Sequence, residues 1–257
     1  MSKSNPIFSS TVGKKLVMSL TGLFLCLFLI VHLIGNLQLF YNDAGYAFNK
    51  YAVFMTTFPP IKIVSYLLYA SVIIHALYAL ILTRKNKAAR PIGYKVYDGN
   101  AGSKWNSRNM GILGTIVLVF LVTHMQNFWY QYHWGEVPYI EYTKDLATGE
   151  ISHQEISASD FHEFTSYVEN GKEITKAKDL YRQVEFAFEN IGLVVLYIIA
   201  MGALAFHLIH GFKSAFQTLG FNHRRYIGLI RFLGIWVFGL LIPIAFAAIP
   251  FYYYFIR

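Results

Sequence analysis

Cysteine is almost absent from this chain of 257 residues, which contains only Cys26. One thiol cannot build a disulfide framework, an iron–sulfur cluster or the C-x-x-C-H attachment site of a covalently bound haem. Charged residues are also scarce, at 14% against about 25% in soluble globular domains. Hydrophobic residues instead reach 55% and aromatic residues 18%. This composition argues against an ordinary soluble domain and indicates a membrane protein with aromatic residues at its interfaces.

The apolar residues are gathered in five segments, each long enough to cross a ~30 Å hydrocarbon core as a helix of roughly 20 residues. We place them at residues 16–40, 61–82, 110–130, 191–212 and 226–254. The first segment is too long for the apolar core of a signal peptide and no A-x-A-like site follows it, so we predict that it is retained. The predicted fold class is an all-α integral membrane protein, with residues 1–257 forming one domain of five transmembrane helices.

Basic residues lie beside the apolar segments and predict the orientation. The net charge is +8. Lysine and arginine dominate the N-terminus and the connections after the second and fourth segments: Lys3, Lys14, Lys15, Arg84, Lys85, Lys87, Arg90, Lys95, Lys104, Arg108, Lys213, Arg224 and Arg225, with Asp98 as the acid among them. This bias places the N-terminus in the cytoplasm and the C-terminus outside. The expected location is the bacterial cytoplasmic (inner) membrane, as a multi-pass protein, with no role for nucleic acid.

The polar loop 133–187 is then extracytoplasmic, and we expect it to form a small outer cap. Four of the nine histidines lie deep inside the first four segments, one in each: His32, His75, His124 and His207; His210 sits near the end of the fourth segment. His32 lies 16 residues after Leu16 and His124 lies 14 residues after Met110, which puts both ~21–24 Å from the inner surface. His75 and His207 lie at similar distances from the outer surface. The four histidines therefore form two layers, roughly 15 Å apart.

Two level imidazoles on different helices suit the two axial positions of a haem iron, and two such layers provide a path for electrons across the bilayer. Without C-x-x-C-H the haems would be b-type. Ser71 or a backbone carbonyl could hold the second nitrogen of His75. Gly35, Gly111, Gly114, Gly202 and Gly211 could make room for the haem planes, although glycine also serves ordinary helix packing.

Other uses of membrane histidines are weighed against haem. A single one can hydrogen-bond to a neighbouring helix. Zinc would need three or four ligands at one depth, which two layers of two do not provide. A proton relay usually includes carboxylates, and the interiors of the five segments contain no Asp or Glu.

Four histidine motifs, "VHLIGN", "IHALYAL", "VTHMQNFW" and "FHLIHGFKSAFQTLG", resemble those of the dihaem cytochrome b subunit of succinate dehydrogenase or fumarate reductase. The N-terminal "SSTVGKKLVMSLTGL" supports this resemblance, which covers nearly all of the membrane portion but little of the loop 133–187.

The resemblance implies a membrane anchor with two b haems, His32 and His124 binding the outer one and His75 and His207 the inner one. It favours His207 over the nearby His210, since His207 matches F-H-x-x-x-G. It also implies electron exchange with a quinone, menaquinone by family association, and cytoplasmic partners: a flavoprotein subunit holding FAD and a subunit holding iron–sulfur clusters. The chain would belong to the respiratory chain and the tricarboxylic acid cycle, would be no enzyme alone, and could join a higher oligomer.

Further site residues are expected around the two haems. The propionate candidates are Arg84, His210, Lys213 and Ser214 at the inner haem, and Asn36 and Gln126 at the outer one; Arg84 and Lys213 could equally be basic residues that extend to the interface. The quinone-site candidates are His133, Glu185, Glu189 and Trp129.

Two rival functions stay open. One is a haem b anchor of another respiratory oxidoreductase, of the hydrogenase, formate dehydrogenase or nitrate reductase type. The other is a haem-free helical transporter or structural protein whose histidines join its helices.

Overall fold

The structure is a computed structural model that describes residues 10–89, 104–161, 164–221 and 223–257. Several residues named in the sequence analysis lie outside this described part: Lys3, Ser9, Arg90, Lys95 and Asp98.

Five long apolar helical spans are present in the described part, as the sequence predicts. They comprise Thr11–Phe40, Pro59–Ala88, Met110–Trp134, Ile191–Thr218 and Arg224–Phe255, and each is long and apolar enough to cross a membrane. Large side chains are exposed along them; Ile63, Leu67, Ile73 and Leu77 on the second span are all more than half exposed. Such continuous apolar surface is unusual on a soluble monomer and is compatible with lipid.

The first three spans contain the helices α1 (Thr11–Leu37), α3 (Pro59–Ala88) and α4 (Met110–His124), and a shorter helix, α2 (Tyr46–Thr57), lies between the first two spans. Ser10 lies just before α1, and its Oγ accepts a hydrogen bond from the Gly13 N–H at 2.9 Å. A π-helical segment, Met125–Tyr130, follows α4 directly.

The last two spans contain α6 (Ile191–Thr218), α7 (Arg224–Phe232) and α8 (Ile242–Phe255), preceded by α5 (Leu180–Phe188). A second π-helical segment, Leu233–Leu241, joins α7 to α8. Several spans extend beyond the predicted bounds: α3 continues to Ala88 and α6 to Thr218, where the predicted segments end at 82 and 212. The added turns are richer in polar residues, so hydropathy did not include them.

The all-α expectation is wrong for part of the loop 133–187. This loop contains a four-stranded antiparallel sheet of β1 (Tyr139–Asp145), β2 (Ile151–Ile156), β3 (Thr165–Glu169) and β4 (Lys172–Lys178), in the order β2-β1-β4-β3. Burial alternates in the first half of β1, where Ile140 and Tyr142 are buried and Glu141 and Thr143 are partly exposed. His162 and Glu163, which precede β3, lie outside the described residues.

The chain divides into two compact units. Unit 1 comprises residues 1–30, 65–120 and 196–248; unit 2 comprises 31–64, 121–195 and 249–257 and contains the sheet. In unit 2, Tyr46 of α2 packs with Ile140, Tyr142 and Ala177 of the sheet in a small core. Unit 1 contains His75 and His207, and unit 2 contains His32 and His124.

Candidate functional site

Unit 1 brings His75 of α3 and His207 of α6 together. Their ring centroids are 6.3 Å apart and the ring planes are inclined at 61°. Both side chains are partly buried among apolar spans. Two imidazoles from helices far apart in sequence thus form one local pair.

Helix α1 contacts the ring of His75. Thr21 Oγ1 lies 3.2 Å from His75 Nδ1. At the adjacent Gly22, an added Cβ would lie 3.2 Å from His75 Cε1, so any side chain here would press on the ring and push it away from the helix backbone. The side chain that contacts Nδ1 is therefore Thr21, from another helix, rather than Ser71 of the same helix.

Within the described part of the chain, the ring of His207 lacks the hydrogen bond that the ring of His75 has at Nδ1. A Cβ at Gly114 would meet its Cε1 at 3.6 Å, which shows that α4 packs against the ring at this glycine. The His207 Nδ1 is buried and has no hydrogen-bond partner among the described residues. A buried imidazole nitrogen without a hydrogen-bond partner is costly.

Unit 2 brings together the other predicted pair, His32 of α1 and His124 of α4. Their ring centroids are 5.7 Å apart and their planes are nearly perpendicular, at 89°. Asn36, one turn after His32, donates from Nδ2 to the His32 carbonyl at 2.8 Å, and the same Nδ2 lies 3.4 Å from His32 Nδ1. The Phe128 ring packs on His124, with 5.3 Å between centroids.

Both pairs have a spacing that suits one iron between two imidazoles. A metal–imidazole bond is about 2 Å long, so two such rings on opposite sides of an iron have centres about 6 Å apart. The glycine contacts beside His75 and His207 also fit a ligand at that pair. Across the described residues, no three His, Cys, Asp or Glu side chains are grouped so that they could hold a metal ion, as a protein-bound zinc would need.

The propionate candidates are divided between the two units in the same way as the histidines. Arg84 and Lys213 of unit 1 are exposed, whereas His210 and Ser214 are partly buried. In unit 2, Asn36 contacts His32 as described, and Gln126 is exposed within the π-helical segment. The neighbouring Asn127, whose Nδ2 is buried without a hydrogen-bond partner among the described residues, is a further donor on this segment.

The quinone-site candidates, all in unit 2, differ in what they contact. His133 donates from Nδ1 to the Trp129 carbonyl at 2.8 Å, and the two rings lie 4.9 Å apart. Glu185 forms ion pairs with Arg182 at 3.2 Å and Arg257 at 2.7 Å, and Glu189 is exposed. His133 and Trp129 thus form an aromatic pair, whereas the Glu185 carboxylate is already bound by two guanidinium groups.

Sequence reasoning missed two residues of the His75 site, Thr21 and Gly22. The sequence alone does not show that a threonine on the first span meets a histidine 54 positions later. The available signal was their adjacency, a hydroxyl followed by the smallest residue inside an apolar helix.

Comparisons of this chain with protein-family models, with curated proteins and with solved structures find no match. The function proposed below therefore depends on the geometry of the histidine pairs and on the sequence motifs.

Proposed function

We propose that this chain is a dihaem cytochrome b membrane anchor of the succinate dehydrogenase or fumarate reductase type, which carries electrons between an iron–sulfur subunit and membrane quinone. The observation that carries the proposal is the pairing of four intramembrane histidines, with ring centroids 5.7 Å apart in one pair and 6.3 Å in the other. Ionisable residues inside a membrane usually have a functional role. One role shared by all four histidines explains their pairing better than four unrelated roles.

The roles of the residues follow from this proposal. His75 and His207 would bind one b haem, and His32 and His124 the other. Because each pair would supply two imidazole ligands, the haems would supply one-electron transfer and not oxygen chemistry. Thr21, Gly22 and Gly114 would position the first pair, and Asn36 would position His32. The proposed orientation has the N-terminus in the cytoplasm, where the flavoprotein and iron–sulfur subunits would dock, and menaquinone is the proposed quinone.

The test begins with the purified full-length protein in mild detergent. A reduced-minus-oxidised spectrum with the α-band of bis-histidine haem, and two b haems per chain by pyridine haemochrome, would support the proposal. A pure, folded and colourless protein would reject it. His75→Ala and His32→Ala should each remove one haem and leave the other. His153→Ala, in an exposed strand of the sheet, is the matched control and should keep both haems. Loss of both haems from a folded single variant would contradict two separate sites.

The partner subunits are tested by co-purification from the native membrane. A flavoprotein and an iron–sulfur protein with succinate-dependent quinone reduction are expected. Co-purification of a hydrogenase, formate dehydrogenase or nitrate reductase subunit would leave the proposal of two haems intact but would overturn the proposed succinate dehydrogenase or fumarate reductase complex.

A further inference from the structure

We infer that Thr21 is a positioning residue that selects the tautomer of His75 and thereby makes its Nε2 the iron ligand; this inference rests on the proposed function. The relevant atoms all lie in unit 1. The Thr21 Oγ1 is 3.2 Å from His75 Nδ1; the two residues lie on different helices and are 54 positions apart in sequence.

The direction of this hydrogen bond follows from the other contacts of Thr21. Its Oγ1 lies 2.9 Å from the Val17 carbonyl and 3.1 Å from the Met18 carbonyl. Carbonyl oxygens only accept, so the single hydroxyl hydrogen of Thr21 is directed to one of them. Its lone pairs then remain to accept from His75, which requires the proton to be on Nδ1.

The position of the proton on a neutral imidazole decides which nitrogen can bind a metal. When Nδ1 carries the proton, Nε2 has the free lone pair that binds a metal. A hydrogen bond from the second ring nitrogen fixes the ring orientation and raises the basicity of the ligand. The backbone of Met18 also contacts the His75 ring by a hydrogen bond.

The two ligands of this pair are therefore unequal. His75 has a side-chain acceptor on α1, whereas His207 Nδ1 has no hydrogen-bond partner among the described residues. Gly22 contributes to the difference because its missing Cβ lets His75 lie close to α1. We expect Thr21 to make His75 the stronger donor of the two ligands and to favour the oxidised iron.

The test compares Thr21→Val, which keeps the shape and removes the hydroxyl, with Thr21→Ser, which keeps the hydroxyl. Thr115→Val is the matched control, because Thr115 also donates to a carbonyl one turn back, that of Gly111 at 2.8 Å, on another span. Thr21→Val should weaken retention of the haem that His75→Ala removes by about tenfold and raise its midpoint potential. The other haem should not change, Thr21→Ser should restore both properties, and Thr115→Val should match the native protein.

A second readout does not need haem. In haem-free protein labelled with ¹⁵N-histidine, the native His75 ring should give the shifts of an Nδ1-protonated tautomer, and Thr21→Val should reduce the population of that tautomer. Should Thr21→Val fail to fold, the native spectrum still decides: an Nε2-protonated His75 overturns the inference.

The two possible failures are distinguishable. A native protein that binds no haem ends the proposed function, while the ¹⁵N shifts still test the tautomer. A native protein with two haems whose Thr21→Val variant is unchanged in haem retention, potential and ¹⁵N shifts leaves the function standing. Those unchanged properties would overturn the role of Thr21.

Discussion

The side chain of Asn49 is completely buried in unit 2, where all its strong hydrogen-bonding groups are used. Its Nδ2 donates to Tyr142 Oη and to Asp179 Oδ1, both at 2.8 Å, and its Oδ1 accepts from the Tyr181 N–H at 3.0 Å. This amide joins α2 to β1 and to the start of α5. A buried amide bonded in this way contributes to stability mainly because its removal leaves the partners unsatisfied.

We expect Asn49→Ala to lower the free energy of unfolding by about 2–3 kcal/mol, since it leaves buried groups without partners. Denaturant titration in detergent micelles measures the change. Asn109→Ala is the control, because the half-buried Asn109 donates from its amide to the Trp105 carbonyl in a hydrogen bond exposed to solvent. An equal loss in both variants would contradict the importance of the buried network.

Asp179, a member of the same network, gives a prediction about pH. Burial raises the pKa of its carboxyl above the ordinary range. The unfolded chain then loses this proton at a lower pH than the folded chain. The contribution to the free energy of unfolding is therefore fully present below the ordinary pKa of about 3.9 and falls as pH rises through the raised folded pKa.

Asp179→Asn keeps an oxygen to accept from Asn49 and from the Arg182 N–H, but it cannot ionise. We expect it to unfold at higher denaturant concentration than the native protein near pH 7, with no such gain below pH 4. Asp145→Asn is the control, and its change in stability near pH 7 should have the opposite sign. Backbone hydrogen bonds from Thr148 and Ala147 lower the pKa of the Asp145 carboxyl. A gain for Asp179→Asn that did not vary with pH would contradict the argument.

Single residues also show the limit of the sequence. Helical rise alone grouped His32 with His124 and His75 with His207, and the structure places the rings of each group within 6.3 Å. Helical rise could not predict the contact of Thr21 with His75, because this contact depends on how the two helices are rotated about their axes. Of the glycines expected to make room for haem, Gly114 lies against His207, whereas Gly35 packs on Tyr51 and Gly111 on Thr83.

At the scale of secondary structure, hydropathy predicted the five spans but not the sheet. The loop 133–187 lacks a long apolar run, yet a hairpin signal was present as Asn170-Gly171 between β3 and β4. Both residues have positive φ, 49° and 76°, as a two-residue turn of this kind requires. The two π-helical segments have no such signal, because they depend on side-chain packing along a continuous helix.

The π-helical segment Leu233–Leu241 permits a close helix crossing in unit 1. A Cβ at Gly239 would overlap the side chain of Ile209 on α6 and lie 3.0 Å from the Gly234 carbonyl oxygen. Nearby, Phe212 stacks on Phe238 with 4.6 Å between ring centroids. The absence of a side chain at Gly239 is therefore a packing requirement.

Gly239→Ala should accordingly destabilise the protein by about 1–3 kcal/mol, the usual cost of an overpacked core. Gly228→Ala, in the same span, is the matched control. An added Cβ at Gly228 meets nothing within 4 Å, so this variant should be neutral or gain up to about 1 kcal/mol from helix propensity. Thermal unfolding in detergent compares the two, and equal stability of both variants would show that the crossing adapts without cost.

At the scale of the whole molecule, the orientation predicted from the basic loops can be measured directly. The one cysteine, Cys26, is only 5% exposed, so the native chain should give little background in thiol labelling. Ala88 ends α3 and Ala147 lies between β1 and β2, and both are exposed. The span Met110–Trp134 lies between these two positions in the chain.

Ala88→Cys and Ala147→Cys therefore form a matched pair of single-site probes. In cells whose cytoplasmic membrane is sealed, a membrane-impermeant maleimide should label Cys at 147 at once and Cys at 88 only after permeabilisation, because lysine and arginine mark the cytoplasmic loops. The reverse pattern would invert the orientation, and with it the side proposed for the flavoprotein and iron–sulfur subunits. Labelling of both positions from the same side would mean that the span Met110–Trp134 does not cross the bilayer, and the depth argument for His124 would then fail.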